Sequence, residues 1–341
     1  MPIIPSIQRA SVGRASLNRC RRHLLTLAAC ALAMAVAPVH AKDEFPSRPI
    51  MLVVPFGVGG AGDQLARALG KAVTDRTGTP VVVENRVGAS GTIGASYVAR
   101  AKPDGYTVLL GTNTTQIANR YLFKTLTYDP AKDFDPITAV SRGDQIVLVR
   151  PSLGVKSMAQ LIELAKSKPG RVSYGSGSSS SQVTTSMLEK ETGIELLSVP
   201  YKSNSLAVVD LLAGQLDMII TDTATALAHV RQGTLVPLAV TGDGRAPDAP
   251  EVPTVREVLR NSYSAMPWFN ALYVPKGTPP EVTAKLNRIF TEATASTEAE
   301  NFYKSSGSTR FISTPAELTK FQQEQDVRWK QAIAASGIQP N

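Results

Sequence analysis

"VVPFGVGGAGD", residues 53–63, joins a short apolar run to a segment with helical spacing. Gly57, Gly59 and Gly62 satisfy G-x-G-x-x-G, the spacing that lets backbone N–H groups cradle a pyrophosphate at a helix N-terminus. Glu84 follows 22 residues after Gly62, near the end of the next apolar run, where an acid can hold a ribose. The same geometry serves a carboxylate equally well, because the unobstructed N–H groups and the helix dipole favour any anion. Dinucleotide binding, carboxylate binding and a plain structural turn therefore all fit this stretch. Asp63, at the helix start, reads as an acid that caps backbone donors.

The N-terminal segment narrows the choice. Arg19, Arg21 and Arg22 form a basic region, Leu24 to Ala37 is an almost wholly apolar run of 14 residues, and Val39-His40-Ala41 has the small-residue pattern of a cleavage site. Residues 1–41 are read as a signal peptide, with Lys42 the first mature residue and the periplasm the destination. The run falls short of the roughly 20 residues that a membrane-spanning helix needs. Two other export readings fit more loosely. Arg21-Arg22 resembles a twin-arginine signal, and Leu27-Ala28-Ala29-Cys30 resembles a lipoprotein box with a very short apolar core.

Export changes the composition. Residues 1–41 hold five of the 36 basic residues and no acid, so the mature chain carries 31 against 28, or +3 in place of +8. No basic stripe remains to argue for nucleic acid. Both cysteines, Cys20 and Cys30, leave with the signal, and His229 is the one histidine left. Thiolate chemistry is thereby excluded, and no cofactor or metal is expected. The mature chain has no G-x-S-x-G, S-x-x-K or H-E-x-x-H, and no paired carboxylates can be placed, so it is not read as an enzyme. An exported enzyme or a dinucleotide-binding protein using the 57–62 loop is the alternative.

Outward from the glycine loop, short apolar strands alternate with helical patterns: Ile50–Pro55, a helix from Gly59 to about Thr77, Pro80–Val83, a helix over 91–101, and a third strand ending at Thr112. This is the pattern of a parallel α/β sheet covered on both faces. The rhythm breaks at "DFDPITAVSRGDQIVLVRP" and restarts with a helix over Ser157–Ser167, a strand at 172–174, the serine-rich stretch Ser176–Ser181, and a helix from about Gln182 to Glu191. "WFNALYVPKGTPPE" reads as a return strand. The expected architecture is α/β: two lobes joined by a two-strand hinge, with lobe one at 42–145 plus 268–341 and lobe two at 146–267. Residues at the carboxyl ends of strands would line the cleft between them.

Several segments carry the resemblance to a known family: "FPSRPIMLVVPFGVGGAGDQLARALG", "VVVENRVGASGTIGASYVARAKPDGYTVLLGT", "KPGRVSYGSGSSSSQ", "VPYKSNSLAVVDLLAGQLDMI", "LAVT", "PEVPTVREV" and "WFNALYVPKGTP". In this order and spacing, from about Phe45 to Ile338, the chain resembles the Bug-type extracytoplasmic receptors of tripartite tricarboxylate transporters. The resemblance implies the type II periplasmic binding-protein fold, a monomer, a small anionic ligand (a di- or tricarboxylate, an amino acid or an aromatic acid) and a membrane permease as partner. It assigns the 57–62 loop to ligand capture. The chain departs from the family's usual pattern at Gln182-Val183-Thr184, at Ser203 and at Val87 and Ser90. The first two departures fall near the expected pocket.

The candidate ligand-binding residues follow from strand ends and loops. Lobe one offers Phe56, Gly57, Val58, Gly59 and Gly60, with Asn113 and Thr114 after the third strand. Lobe two offers Ser176, Ser178, Ser179 and Ser180, whose hydroxyl and N–H groups suit a second carboxylate. Tyr201 and Lys202 end one strand, where Lys202 supplies charge or is a solvated surface lysine. Thr221, Asp222 and Thr223 end another, where Asp222 accepts an ammonium group or caps the next helix. Arg86 helps steer anions or, as the expected reading, pairs with Glu84 or Asp104.

Overall fold

The computed structural model describes Ile3 and residues 45–246, 249–260 and 267–340. Apart from Ile3, the proposed signal segment lies outside these residues. Along the chain the strands are β1 (Ile50–Val54), β2 (Val81–Asn85), β3 (Thr107–Thr112), β4 (Phe134–Gly143), β5 (Gln145–Val149), β6 (Ser173–Ser176), β7 (Leu197–Pro200), β8 (Met218–Asp222), β9 (Val236–Val240), β10 (Trp268–Pro275) and β11 (Thr309–Arg310). The helices that matter here are α1 (Ala61–Thr77), α2 (Thr92–Ala99), α3 (Asn119–Leu122), α4 (Met158–Ser167), α5 (Ser179–Thr192), α6 (Asn204–Leu212), α7 (Thr223–Arg231), α8 (Val255–Leu259), α9 (Pro280–Ala293), α10 (Thr297–Ser306) and α11 (Pro315–Ser336).

Two sheets form. The first runs β11-β4-β10-β3-β1-β2 and the second β7-β6-β8-β5-β9. In the first, β1 pairs parallel with β2 and β3, while β10 lies antiparallel between β3 and β4. In the second, β6 pairs parallel with β7 and β8, and β5 is antiparallel to β8 and β9. β5 and β10 are buried along their whole length, which explains their largely apolar sequence, Gln145 and Asn270 excepted. Alternation sets the layers of lobe one. Ile50, Leu52 and Val54 face α1 and α9 through Leu65, Leu69, Leu286 and Phe290, whereas Val53 joins the opposite cluster with Leu109, Phe269 and Trp329.

The chain passes from the first sheet to the second through one residue, Asp144, between β4 and β5. The Trp268 indole packs flat against Gly143, where a Cβ would lie 2.6 Å from the ring, and donates from Nε1 to the Asp144 carbonyl at 2.7 Å. These contacts fix the junction beside the return strand. Elsewhere the lobes meet directly. Arg231 on α7 donates to the Ser305 carbonyl on α10 at 2.9 Å, and Ala224 packs against the core of lobe one.

The serine-rich stretch departs from the expected loop. Helix α5 begins at Ser179, three residues before the expected start at Gln182. Ser178 is its N-cap and accepts from the Ser181 N–H at 3.2 Å. Serines disfavour helix interiors because their hydroxyls compete for backbone partners, but at a cap that competition becomes support. The Ser181 hydroxyl donates to the Ile220 carbonyl and that of Thr185 to the Ser181 carbonyl, so the buried hydroxyls are matched.

Candidate functional site

The glycine loop is held from below. After β1 the chain runs through Pro55 and Phe56 to Gly60, the N-cap of α1, which has no capping side chain. Gly59 takes φ +80°, a left-handed conformation that L side chains rarely adopt. Its N–H donates to Asp63 Oδ2 at 3.0 Å. Asn85 Nδ2 donates both to the Phe56 carbonyl and to Asp63 Oδ1, each at 3.0 Å, and Arg67 grips the same carboxylate at 2.9–3.1 Å. Burial alone would raise the Asp63 pKa; the hydrogen bonds from Arg67, the Gly59 N–H and Asn85 more than offset it and hold the carboxyl below its ordinary value. Asp63 is therefore an ionised support whose charge is already met by Arg67, and it shapes the loop.

The facing wall comes from lobe two. Gly177 sits so close to the start of α6 that a Cβ there would fall 1.9 Å from the Ser203 carbonyl carbon. Asn204 clamps this approach, accepting from the Gly177 N–H at 2.9 Å and donating to Ser178 Oγ at 3.3 Å. Gly57 of lobe one packs against Ser203 and Ser205, where a Cβ would meet their hydroxyls at 2.6 and 2.9 Å.

Hydrogen bonds cross the cleft. Asn113 Nδ2 donates to Ser180 Oγ at 3.0 Å, the Ser179 hydroxyl to Asn119 Oδ1 at 2.6 Å, and the Ala61 N–H to Thr225 Oγ1 at 3.3 Å. Ser180 Oγ also accepts from Gln145 Nε2 at 3.0 Å. Asn113 leads into a π-turn over Thr114–Ala118, a wide helical form that is rare and often found at functional sites. Between these walls lies a cavity of about 590 Å³, counting its solvent-open mouth.

Of the candidate residues, Phe56, Gly57, Gly60, Asn113, Thr114, Ser178, Ser180 and Asp222 line this cavity together. The others do not. Val58 is exposed at the lip, and Gly59 is turned toward its Asp63 partner. The Ser176 hydroxyl donates to the Ser178 carbonyl, and Ser179 is spent on Asn119. Tyr201 turns its hydroxyl to Asp210 at 2.7 Å, and Lys202 is exposed outside the cavity. Thr221 and Thr223 point into the protein on either side of Asp222, their buried hydroxyls without hydrogen-bond partners. Sequence reading placed Ser203 near the pocket without making it a candidate, and missed Asn204, Ser205, Thr225, Trp268 and Phe269 on the wall. Ser203-Asn204-Ser205 has the polar-run-before-helix signal that would have found it, whereas Trp268 and Phe269 are indistinguishable from core in a strand that is apolar but for Asn270.

The electrostatics of the cavity are unexpected for an anion site. Among the described residues no lysine, arginine or histidine lines it, and Asp63 and Asp222 are the two ionisable ones that do. Asp222 is enclosed deep in the molecule yet keeps part of its surface open to the void. Burial raises its pKa to about 7. It stands at the N-cap position of α7 but makes no side-chain capping bond. Arg86 pairs with Glu84 at 2.7 Å, as expected, and stacks on Tyr97, so the acid of the dinucleotide reading is engaged elsewhere and neither residue lines the cavity. Among the described residues no cluster of three or more histidines, cysteines or acids has metal-binding geometry, and no helix is long and apolar enough to cross a membrane. A second hollow, about 880 Å³, lies on lobe one, but its charges compensate each other through the Arg120–Asp326 and Lys276–Asp135 pairs.

Two α/β lobes meeting over a polar cleft at strand ends define the type II periplasmic binding-protein fold. Residues 65–338 match the model of the tripartite tricarboxylate transporter family receptor, and the chain belongs to that family. It is 35% identical over 304 residues to the protein BugT of Bordetella pertussis, covering 88% of this chain and 93% of that one. Among solved structures, R. palustris Rpa4515 with adipate superposes with a TM-score of 0.84 at 32% identity, over 87% of this chain and all of that one. MatC from Rhodopseudomonas palustris with bound malate gives 0.80 at 28% identity, over 85% and 100% of the two chains. The family is one of solute-binding receptors.

Proposed function

We propose that the chain is a periplasmic receptor that captures a small anionic metabolite, a di- or tricarboxylate, an acidic amino acid or an aromatic acid, and presents it to a tripartite tricarboxylate-type permease without chemical change. Lobe one is 42–145 plus 268–341 and lobe two 146–267, and the receptor works as a monomer without cofactor. The single observation that carries this reading is the pairing of two helix N-termini across one cavity. The α1 start, with its glycine loop braced by Asp63, faces the α5 start, capped by Ser178. An anion between them meets N–H and hydroxyl donors and two favourable helix dipoles with no cation required. The adipate and malate in the two neighbours support a carboxylate. Closure around the ligand buries it and creates the surface a permease distinguishes, so the ligand shifts the population toward the closed form.

A thermal-shift and calorimetric screen of these acids tests the reading. Ligand at about 100 times its dissociation constant adds about 2.7 kcal/mol of stability. Failure of every acid to stabilise or bind the protein overturns it. Intact-mass analysis of the exported protein tests processing: a start near Lys42 is expected, and a lipid-modified Cys30 overturns it.

A further inference from the structure

The cavity holds two acids in opposite circumstances. Asp63 accepts hydrogen bonds from Arg67, Asn85 and the Gly59 N–H, so its charge is fully met. Asp222 lines the same cavity and has no hydrogen-bond or ion-pair partner. An ionised carboxylate partly withdrawn from water is unfavourable unless something pairs with it. Among the described residues no side chain pairs with it. The residues nearest in sequence are Thr221 and Thr223, whose buried hydroxyls make no hydrogen bond to it, and Thr225 Oγ1 already receives the Ala61 N–H. Neither the α1 side nor the α5 and α6 sides supplies a lysine, arginine or histidine to the cavity; the one other ionisable group facing it is Asp63.

A ligand with carboxylates alone would place a second negative charge beside this one. A ligand that also carries an ammonium group would resolve both problems, since its cation pairs with Asp222 while its carboxylate reaches the helix N-termini. We infer that Asp222 is the specificity-determining residue of the cleft, accepting the ammonium group of a small amino acid, so that amino acids bind in preference to plain acids of the same length. This rests on the carboxylate reading above and narrows it.

Matched pairs isolate the ammonium group: L-aspartate and succinate, L-glutamate and glutarate, L-phenylalanine and 3-phenylpropionate. Each is titrated calorimetrically at pH 7.5 into the wild type and Asp222→Asn. A charge-assisted hydrogen bond corresponds to about ten- to hundredfold in affinity. In the wild type at least one amino acid binds tighter than its plain partner by about that factor. In Asp222→Asn the preference collapses to near unity, by loss of amino-acid affinity with plain-acid affinity kept or improved. Asp222→Glu retains part of the preference, and thermal unfolding of each variant confirms the fold.

Two results overturn the inference while leaving the carboxylate reading intact: plain acids binding as tightly as their amino partners in the wild type, or an unchanged preference in Asp222→Asn. If none of the six probes binds, the carboxylate reading falls and the inference falls with it.

Discussion

Gly57→Ala tests how closely the lobes must approach. Gly57 does not occupy the left-handed region, so alanine is compatible with its backbone, and the substitution adds one methyl group and little else. That methyl lands 2.6 Å from Ser203 Oγ, 2.9 Å from Ser205 Oγ and 3.4 Å from Ser203 Cβ, all on the opposite lobe. The two hydroxyls bond each other at 3.0 Å. To make room, both serines must leave this arrangement. That forfeits about 1 kcal/mol for their hydrogen bond and about 0.5–1.5 kcal/mol for a displaced rotamer. The open form feels none of this, so the cost of about 2 kcal/mol falls on closure and weakens ligand binding roughly thirtyfold. Calorimetric titration with a carboxylate that binds the wild type reads the loss directly, and Ser203→Ala/Ser205→Ala in the Gly57→Ala background should restore most of it. Affinity within twofold of wild type in Gly57→Ala, or no rescue by the serine pair, would refute the claim that this contact governs closure.

Ser180→Ala removes the acceptor shared by Asn113 and Gln145 and leaves buried amide donors unpaired, which should cost about 1–3 kcal/mol in thermal unfolding and weaken ligand binding as well; an unchanged melting temperature would contradict it. Gly177→Ala drives a Cβ into the Ser203 backbone and should destabilise the protein by about 3 kcal/mol or prevent its accumulation, whereas normal stability would mean that this approach is loose. Asp222 makes stability fall with pH. Its pKa rises from 3.8 to about 7 on folding, so the native state binds the extra proton between these values and stability is lost as pH climbs through that window. Asp222→Asn without ligand should accordingly be more stable than wild type by about 2 kcal/mol at pH 8, roughly half the full shift because water in the cleft screens the charge. Chemical denaturation at pH 4 and 8 checks this; a gain of equal size at both would disprove it.

Much of the architecture was legible because the sheet pattern is local. β1 and β3, and the largely apolar runs of β5 and β10, announce themselves by composition, and the glycine loop announces an anion-compatible helix start. The helix at the serine stretch was misplaced because serine's low intrinsic propensity was weighed without the buried carbonyls that satisfy Ser181 and Thr185. Direction was the second gap. Tyr201 and Lys202 lie at a strand end as expected, but the tyrosine turns to Asp210 and the lysine to solvent. Along Thr221-Asp222-Thr223 the middle side chain alone reaches the cavity, a consequence of pleating that names the right stretch and the wrong neighbours. Ser205 and Thr225 were missed, and Ser203 was placed near the pocket without a role, because they gain meaning from Gly57 and Ala61 across the cleft, more than 140 residues away in sequence.

Hydrogen exchange with and without a saturating carboxylate tests the central claim most directly, because it reports which segments the ligand touches. The amides of 57–63 in lobe one and 178–181 in lobe two should exchange more slowly together when ligand is bound, with smaller changes elsewhere. Protection of only one of these segments, or protection centred instead on the hollow around Arg120 and Lys276, would contradict a ligand held between the two helix N-termini.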